Sequence, residues 1–153
     1  MFKLIVAASL LFVAGTAVAS DQIDVMGPVH QFIDGMNKGD STSALAACAA
    51  PAFIIDEFPP FQWAGPTACA DWAADVESYN KKYGITDAVA TIRKPRHIDI
   101  TGDRAYLVIP ATYAYKHNIK RITESGSSMT VALQKTADGW RITGWAWTRG
   151  SVR

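Results

Sequence analysis

An excess of charge of either sign is the first thing this sequence lacks. It has 15 Lys and Arg against 14 Asp and Glu, a formal net charge of +1. Nucleic-acid binding rests on a clustered cationic surplus that neutralises phosphates, so no nucleic-acid partner is expected. Arg93, Lys94 and Arg96 do sit together, as do Lys116, Lys120 and Arg121, but both groups read as solvated strand faces or loops. Cysteine is scarce. Cys48 and Cys69 are the only two, at a spacing that fits neither a CxxC redox motif nor a zinc ligand set. The three histidines, His30, His97 and His117, have no i, i+4 His partner and no Cys or Asp at ligand spacing, so no metal is expected. A P-loop, a dinucleotide fingerprint and a serine nucleophile elbow are absent, and no cofactor is expected. Internal repeats and low-complexity tracts are absent too.

One long apolar run is present, at the front of the chain. Lys3 supplies a positive n-region, Leu4 to Ala14 is apolar or small throughout, and Ala17-Val18-Ala19 is the small-x-small pattern that a signal peptidase accepts. A bilayer span needs about 20 apolar residues, and this run is shorter and stops at Asp21. Residues 1–19 therefore read as a cleavable secretory signal, cut before Ser20, with no cysteine after the cut to carry a lipid. Residues 20–153 form one exported domain, periplasmic or secreted, with no membrane attachment once cleaved. Lys3 is the only charge removed, which leaves basic and acidic residues balanced. The 49% hydrophobic content excludes a disordered chain. In an oxidising compartment Cys48 and Cys69 read first as a structural disulfide.

Within the domain, helical periodicity comes first and strand periodicity after. Ile23, Met26, Val29, Ile33 and Met36 recur at three- and four-residue steps, and Pro28 predicts a regular start near Gly27. Gly39 ends this helix, and Asp40 or Ser41 caps a short second one, Thr42 to Ala49. Ala52 to Phe58 reads as a strand with Phe61 to Ala64 as its hairpin partner. Thr67 caps a third helix, whose face of Cys69, Trp72, Ala73, Val76 and Tyr83 stops at Gly84. From Asp87 the period is two. Ala88 to Ile100 reads as one long strand, Ala105 to Lys116 as the next, and His117 to Gly126 as a polar protruding loop. Ser127 to Thr136 and Trp140 to Arg149 are joined by Asp138-Gly139, a strong hairpin signal. Helices at one end and antiparallel strands at the other make an α+β layer pair.

The stretch Phe32-Ile33-Asp34-Gly35-Met36-Asn37-Lys38-Gly39-Asp40 resembles the first-helix signature of the NTF2-like, or SnoaL-like, superfamily. Trp63-Ala64-Gly65-Pro66-Thr67 and the ending Asp138-Gly139-Trp140-Arg141-Ile142, followed by Trp145, continue the resemblance over residues 22–149. It implies a ketosteroid-isomerase-like cone: a curved antiparallel sheet packed against three N-terminal helices around a pocket, with the outer sheet face open to a second copy, hence a homodimer. Members include isomerases, dehydratases, hydrolases and non-catalytic binding modules, so the fold does not choose an activity.

Asp56 is the leading candidate for chemistry, a carboxylate in the apolar strand Ile54-Ile55-Asp56-Glu57-Phe58. Facing a dry pocket it would have a raised pKa and could shuttle a proton; facing water it would be an ordinary strand-end Asp. Ketosteroid isomerases carry their general base at the matching point. Their substrate-polarising tyrosine falls here at Phe32 and their protonated aspartate near Thr130, so two of the three parts are unmatched. Glu57 points away from Asp56 if the strand is regular. His97 could pair with Asp56, and Tyr113 could orient a substrate. His30 either lines the pocket or edges the core. Phe32, Phe58, Trp63, Tyr115, Trp145 and Trp147 read as contacts for a flat apolar ligand, or as core and dimer interface. The expected function is a small apolar-ligand-binding or dimerisation module. The alternative is a cofactor-free isomerase, lyase or hydrolase with Asp56 as base.

Overall fold

A computed structural model describes residues 15–152, with side chains from Asp24 onward. Most of the expected signal, residues 1–14, lies outside the described residues, as do the side chains up to Ile23.

Helix α1 (Gly15–Lys38) runs unbroken through Pro28 rather than starting near Gly27. Burial outweighs the one lost backbone hydrogen bond: Val25, Val29, Phe32 and Ile33 are all buried, so the core-facing stripe extends through the proline. Gly39, at φ +71°, ends α1. Asp40 then caps α2 (Ser41–Ala46) by accepting from the Ser43 N–H at 3.0 Å. The two helices touch at Gly35, where a Cβ would meet Ala44 N at 2.8 Å.

Strand β1 (Cys48–Ile55) starts and ends earlier than its sequence suggests, and pairs antiparallel with β2 (Gln62–Gly65). Helix α3 (Ala68–Tyr83) follows and stops at Gly84, at φ +62°. Thr67 stands at its N-cap, but the hydroxyl donates to Asp71 instead of capping the backbone. Cys48 and Cys69 form a disulfide that ties β1 to the first turn of α3 across a sequence separation of 21. A loop of that length stabilises the fold by about 3 kcal/mol through the unfolded chain.

The expected strand from Ala88 to Ile100 is two strands, β3 (Ile85–Ile92) and β4 (His97–Thr101). Pro95 lacks an N–H for the ladder, and the chain breaks around it while both strands stay paired to β5 (Arg104–His117). The expected loop at His117 to Gly126 is also corrected. A tight turn at Asn118 leads straight into β6 (Lys120–Thr136), then β7 (Gly139–Thr148) and the short β8 (Ser151–Val152). The main path is β2-β1-β7-β6-β5-β3, with β8 on β6. Every pair is antiparallel except β1–β7.

Register assigns the two sheet faces. One inner row runs Ile54, Trp145, Val131 and Leu107, all buried beneath the helices. The outer face runs Phe53, Gly144, Ala132 and Tyr106, then Ile55, Ala146, Thr130 and Val108. Its centre is small and its flanks are large and exposed.

Candidate functional site

Helices and the inner sheet face hold a cavity of about 880 Å³ between them. Phe32 and Met36 from α1, Tyr79 from α3, Tyr113 and Tyr115 from β5, and Trp145 and Trp147 from β7 line it. Its polar groups are Asp56 and Glu57, Asn37 on α1, Glu77 and Lys81 on α3, and Arg149 after β7.

Strand β1 ends at Ile55, so Asp56 and Glu57 lie in a turn closed by the Asp56 N–H donating to Phe61 O at 3.2 Å. Strand alternation no longer applies there, and both carboxylates reach the cavity wall. Asp56 Oδ2 accepts from Trp72 Nε1 at 2.7 Å, and Oδ1 from the Glu57 N–H at 2.7 Å. Burial raises its pKa, those two hydrogen bonds oppose the rise, and Glu124 adds to it. Both oxygens of Asp56 are thus engaged within the protein.

Glu124 reaches the same region because of a β-bulge. From Ile109 and Ala111 inward positions continue on β5 to Tyr113, while β6 inserts one residue near Gly126, at φ +79°. Ser127 pairs with Ala111 and Ser125 with Thr112, so Glu124, opposite Tyr113, is the buried residue and Ser125 is exposed. Glu124 is fully buried, and Arg149 Nη2 donates to its Oε1 at 3.3 Å. The same guanidinium lies 3.9 Å from Glu57 Oε2. Glu57 and Glu124 act on each other electrostatically, and each leaves Oε2 buried with no hydrogen-bond partner. Burial first, then the Glu124 charge, pushes the Glu57 pKa up to about 7 against the opposing pull of Arg149. Glu57 and then Glu124 raise that of Arg149. Burial raises Tyr113 well above the usual phenol, with Asp56 adding, and raises Tyr115 with help from Glu124.

The structure brings together Asp56, Tyr113, Phe32, Phe58, Tyr115, Trp145 and Trp147 on one cavity. Two candidates stand elsewhere. His97 is exposed on β4 with its ring 5.9 Å from Tyr106, so no His97–Asp56 pair forms. Trp63 is buried behind the wall, its ring tilted against Phe58 at 5.0 Å, and its Nε1 donates to Asp75 at 2.8 Å. His30 is exposed on α1. Sequence reasoning missed Arg149, Glu124 and the cavity-facing Glu57. The isolated Gly126 in a strand-like run was the one signal for the bulge that buries Glu124. Among the described residues no three His, Cys, Asp or Glu side chains converge as a metal site requires.

The comparisons that match are of shape. No protein-family profile matches the sequence, and no curated protein matches it. The hexachlorocyclohexane dehydrochlorinase LinA-type3 from Novosphingobium barchaimii LL02 is 10% identical, with a TM-score of 0.74 over 89% of this chain and 90% of that one. An NTF2-like protein with a cystatin-like fold from Novosphingobium aromaticivorans is 12% identical, with a TM-score of 0.68 over 86% and 82%. The fold is NTF2-like. A ketosteroid isomerase-like protein from Erwinia carotovora atroseptica SCRI1043 is 12% identical, with a TM-score of 0.64 over 84% and 95%. At such identities the NTF2-like likeness is one of architecture: three helices on a curved, unclosed sheet, as the resemblance of the first helix implied.

Proposed function

We propose that the chain is exported and that its domain binds a small, largely apolar molecule in the cavity. The observation that carries this reading is the cavity itself, about 880 Å³ with mainly aromatic and aliphatic walls. That size suits a ligand of drug-like dimensions, whose apolar body would lie against Phe32, Tyr113 and Trp145. The disulfide supports an oxidising compartment, and no helix among the described residues is long and apolar enough to cross a membrane. A second copy would cover the outer sheet face.

Binding without turnover is favoured over general-base catalysis, because both Asp56 oxygens already accept hydrogen bonds and His97 is remote. The test is a thermal-shift screen of steroids, terpenoids and aromatic ketones on wild type and Asp56→Asn. The expected result is a compound that raises the melting temperature of both forms and is recovered unchanged. Failure of every compound to shift wild type would reject the binding reading. Turnover abolished by Asp56→Asn would restore the catalytic one.

A further inference from the structure

We propose that the ligand is an organic cation, an ammonium group on an apolar body, held with its charge beside Glu57. This rests on the reading of the cavity as a ligand site and adds the ligand's chemical class.

The charged groups around Glu57 come from every element packed there. Asp56 shares its turn, Glu124 comes from β6 and Arg149 follows β7, with the phenols of Tyr113 and Tyr115 on β5. Helix α3 adds Glu77 and Lys81 to the cavity wall. In the immediate cluster one guanidinium faces Glu57 and Glu124 together, with Asp56 close by, so its positive charge is outnumbered. An anionic ligand would compete with Glu57 and Glu124 for the one guanidinium. A cation meets Glu57 on the wall, with the buried charge of Glu124 behind it.

Glu124, behind the cavity wall, deepens the imbalance. Its side chain is wholly buried, Arg149 reaches only its Oε1, its Oε2 has no hydrogen-bond partner, and its charge bears on Glu57. A buried carboxylate oxygen without a hydrogen bond is costly, and the single guanidinium of Arg149 balances only one of the two carboxylates, so the other is settled by a proton or by a second cation. Below about pH 7 a proton on Glu57 does this, and a bound ammonium takes its place. The walls fit the same ligand, since Tyr79, Tyr113, Tyr115 and Trp147 present aromatic rings able to face a cation. The raised Glu57 pKa of about 7 gives the exchange a readable signature, because cation binding then releases a proton near neutrality.

The experiment titrates mature protein with three probes of similar shape, read by tryptophan fluorescence: benzyltrimethylammonium, its uncharged isostere neopentylbenzene, and the anion phenylacetate. The expected order is cation first by about tenfold or more, a difference salt reduces. Because the quaternary probe does not titrate, its affinity should rise up to about tenfold from about pH 6 to about pH 8. Glu57→Gln should bring the cation down to the isostere's affinity. The pH profile of wild type keeps the test valid if that variant folds poorly. Equal binding of cation and isostere, or preference for phenylacetate, overturns this inference and leaves the apolar-ligand reading standing. If neither these probes nor the apolar screen bind, both readings fall.

Discussion

Asn37 commits both ends of its side-chain amide to a single residue of the opposite layer. Its Nδ2 donates to Ala90 O at 2.8 Å and its Oδ1 accepts from Ala90 N–H at 2.9 Å. The amide therefore stands in for a neighbouring strand at the exposed side of β3 and fixes that strand against α1. Asn37→Ala leaves two half-buried backbone groups unpaired, and a loss of about 1–3 kcal/mol in denaturant unfolding is expected. The sequence marks Asn37 only as part of a helix-ending motif, because its partner is 53 residues away. Glu57 has a different signature. Its folded pKa of about 7 lies above its ordinary value of 4.5, so the folded state holds a proton that the unfolded chain has released. Stability must therefore fall as pH rises through that window and level off above it, with Asp56, also raised, acting in the same sense. Glu57→Gln should flatten the fall, leaving the variant more stable than wild type at about pH 8, on the order of 1 kcal/mol or more. Equal slopes in urea melts of the two proteins across that range would refute this assignment.

Among the elements, those set by local signals were legible and those set by distant pairing were not. Gly39, Asp40 and Gly84 mark helix ends because a positive φ or a side-chain cap is a one-residue property. The Asp138-Gly139 turn is local in the same way. The β1–β7 pairing is parallel and joins residues far apart, so nothing near Ile54 announces Trp145. The polar run from His117 to Gly126 looks like a loop until β5 on one side and β8 on the other satisfy its backbone. The bulge near Gly126 hid the site most completely, since unbroken alternation from Met129 and Ser127 would have put Ser125 inside and Glu124 out. The tail that brings Arg149 to Glu124 depends on Gly150, whose N–H donates to Ser127 Oγ at 3.1 Å. A Cβ there would collide with the Ser125 carbonyl. Gly150→Ala should push the tail off β6 and cost about 1–3 kcal/mol. The Glu57 titration seen by NMR should shift upward as Arg149 withdraws. An unmoved titration would mean that the guanidinium holds its place without Gly150.

At the scale of the whole molecule, the outer sheet face carries no covering layer among the described residues. Gly144, Ala132, Ala146 and Thr130 keep its centre low, while Phe53, Ile55 and Tyr106 stand exposed around it. A low centre with exposed apolar flanks suits a two-fold pair. Light scattering on the mature protein should give twice the chain mass at micromolar concentration, and Ala146→Glu should give a monomer with its cavity intact. A wild-type monomer at those concentrations would rule out the pairing. The NTF2-like cone was legible at this scale from the first helix and the final hairpin, because those two segments form its opposite walls.

The link between Cys48 and Cys69 spans β1, the turn carrying Asp56 and Glu57, and β2. That turn includes the outward-facing Pro59, Pro60 and Phe61, and the exposed Phe61–Gln62 bond beside it is open to a chymotrypsin-like protease. A cut there leaves both pieces joined through sulfur, with β1 still seated on β7. Cleaved protein should run as two fragments on a reducing gel and as one band without reductant, and fragments that separate unreduced would show the link is not made. In surroundings rich in proteases, a broken backbone then need not mean a dismantled protein.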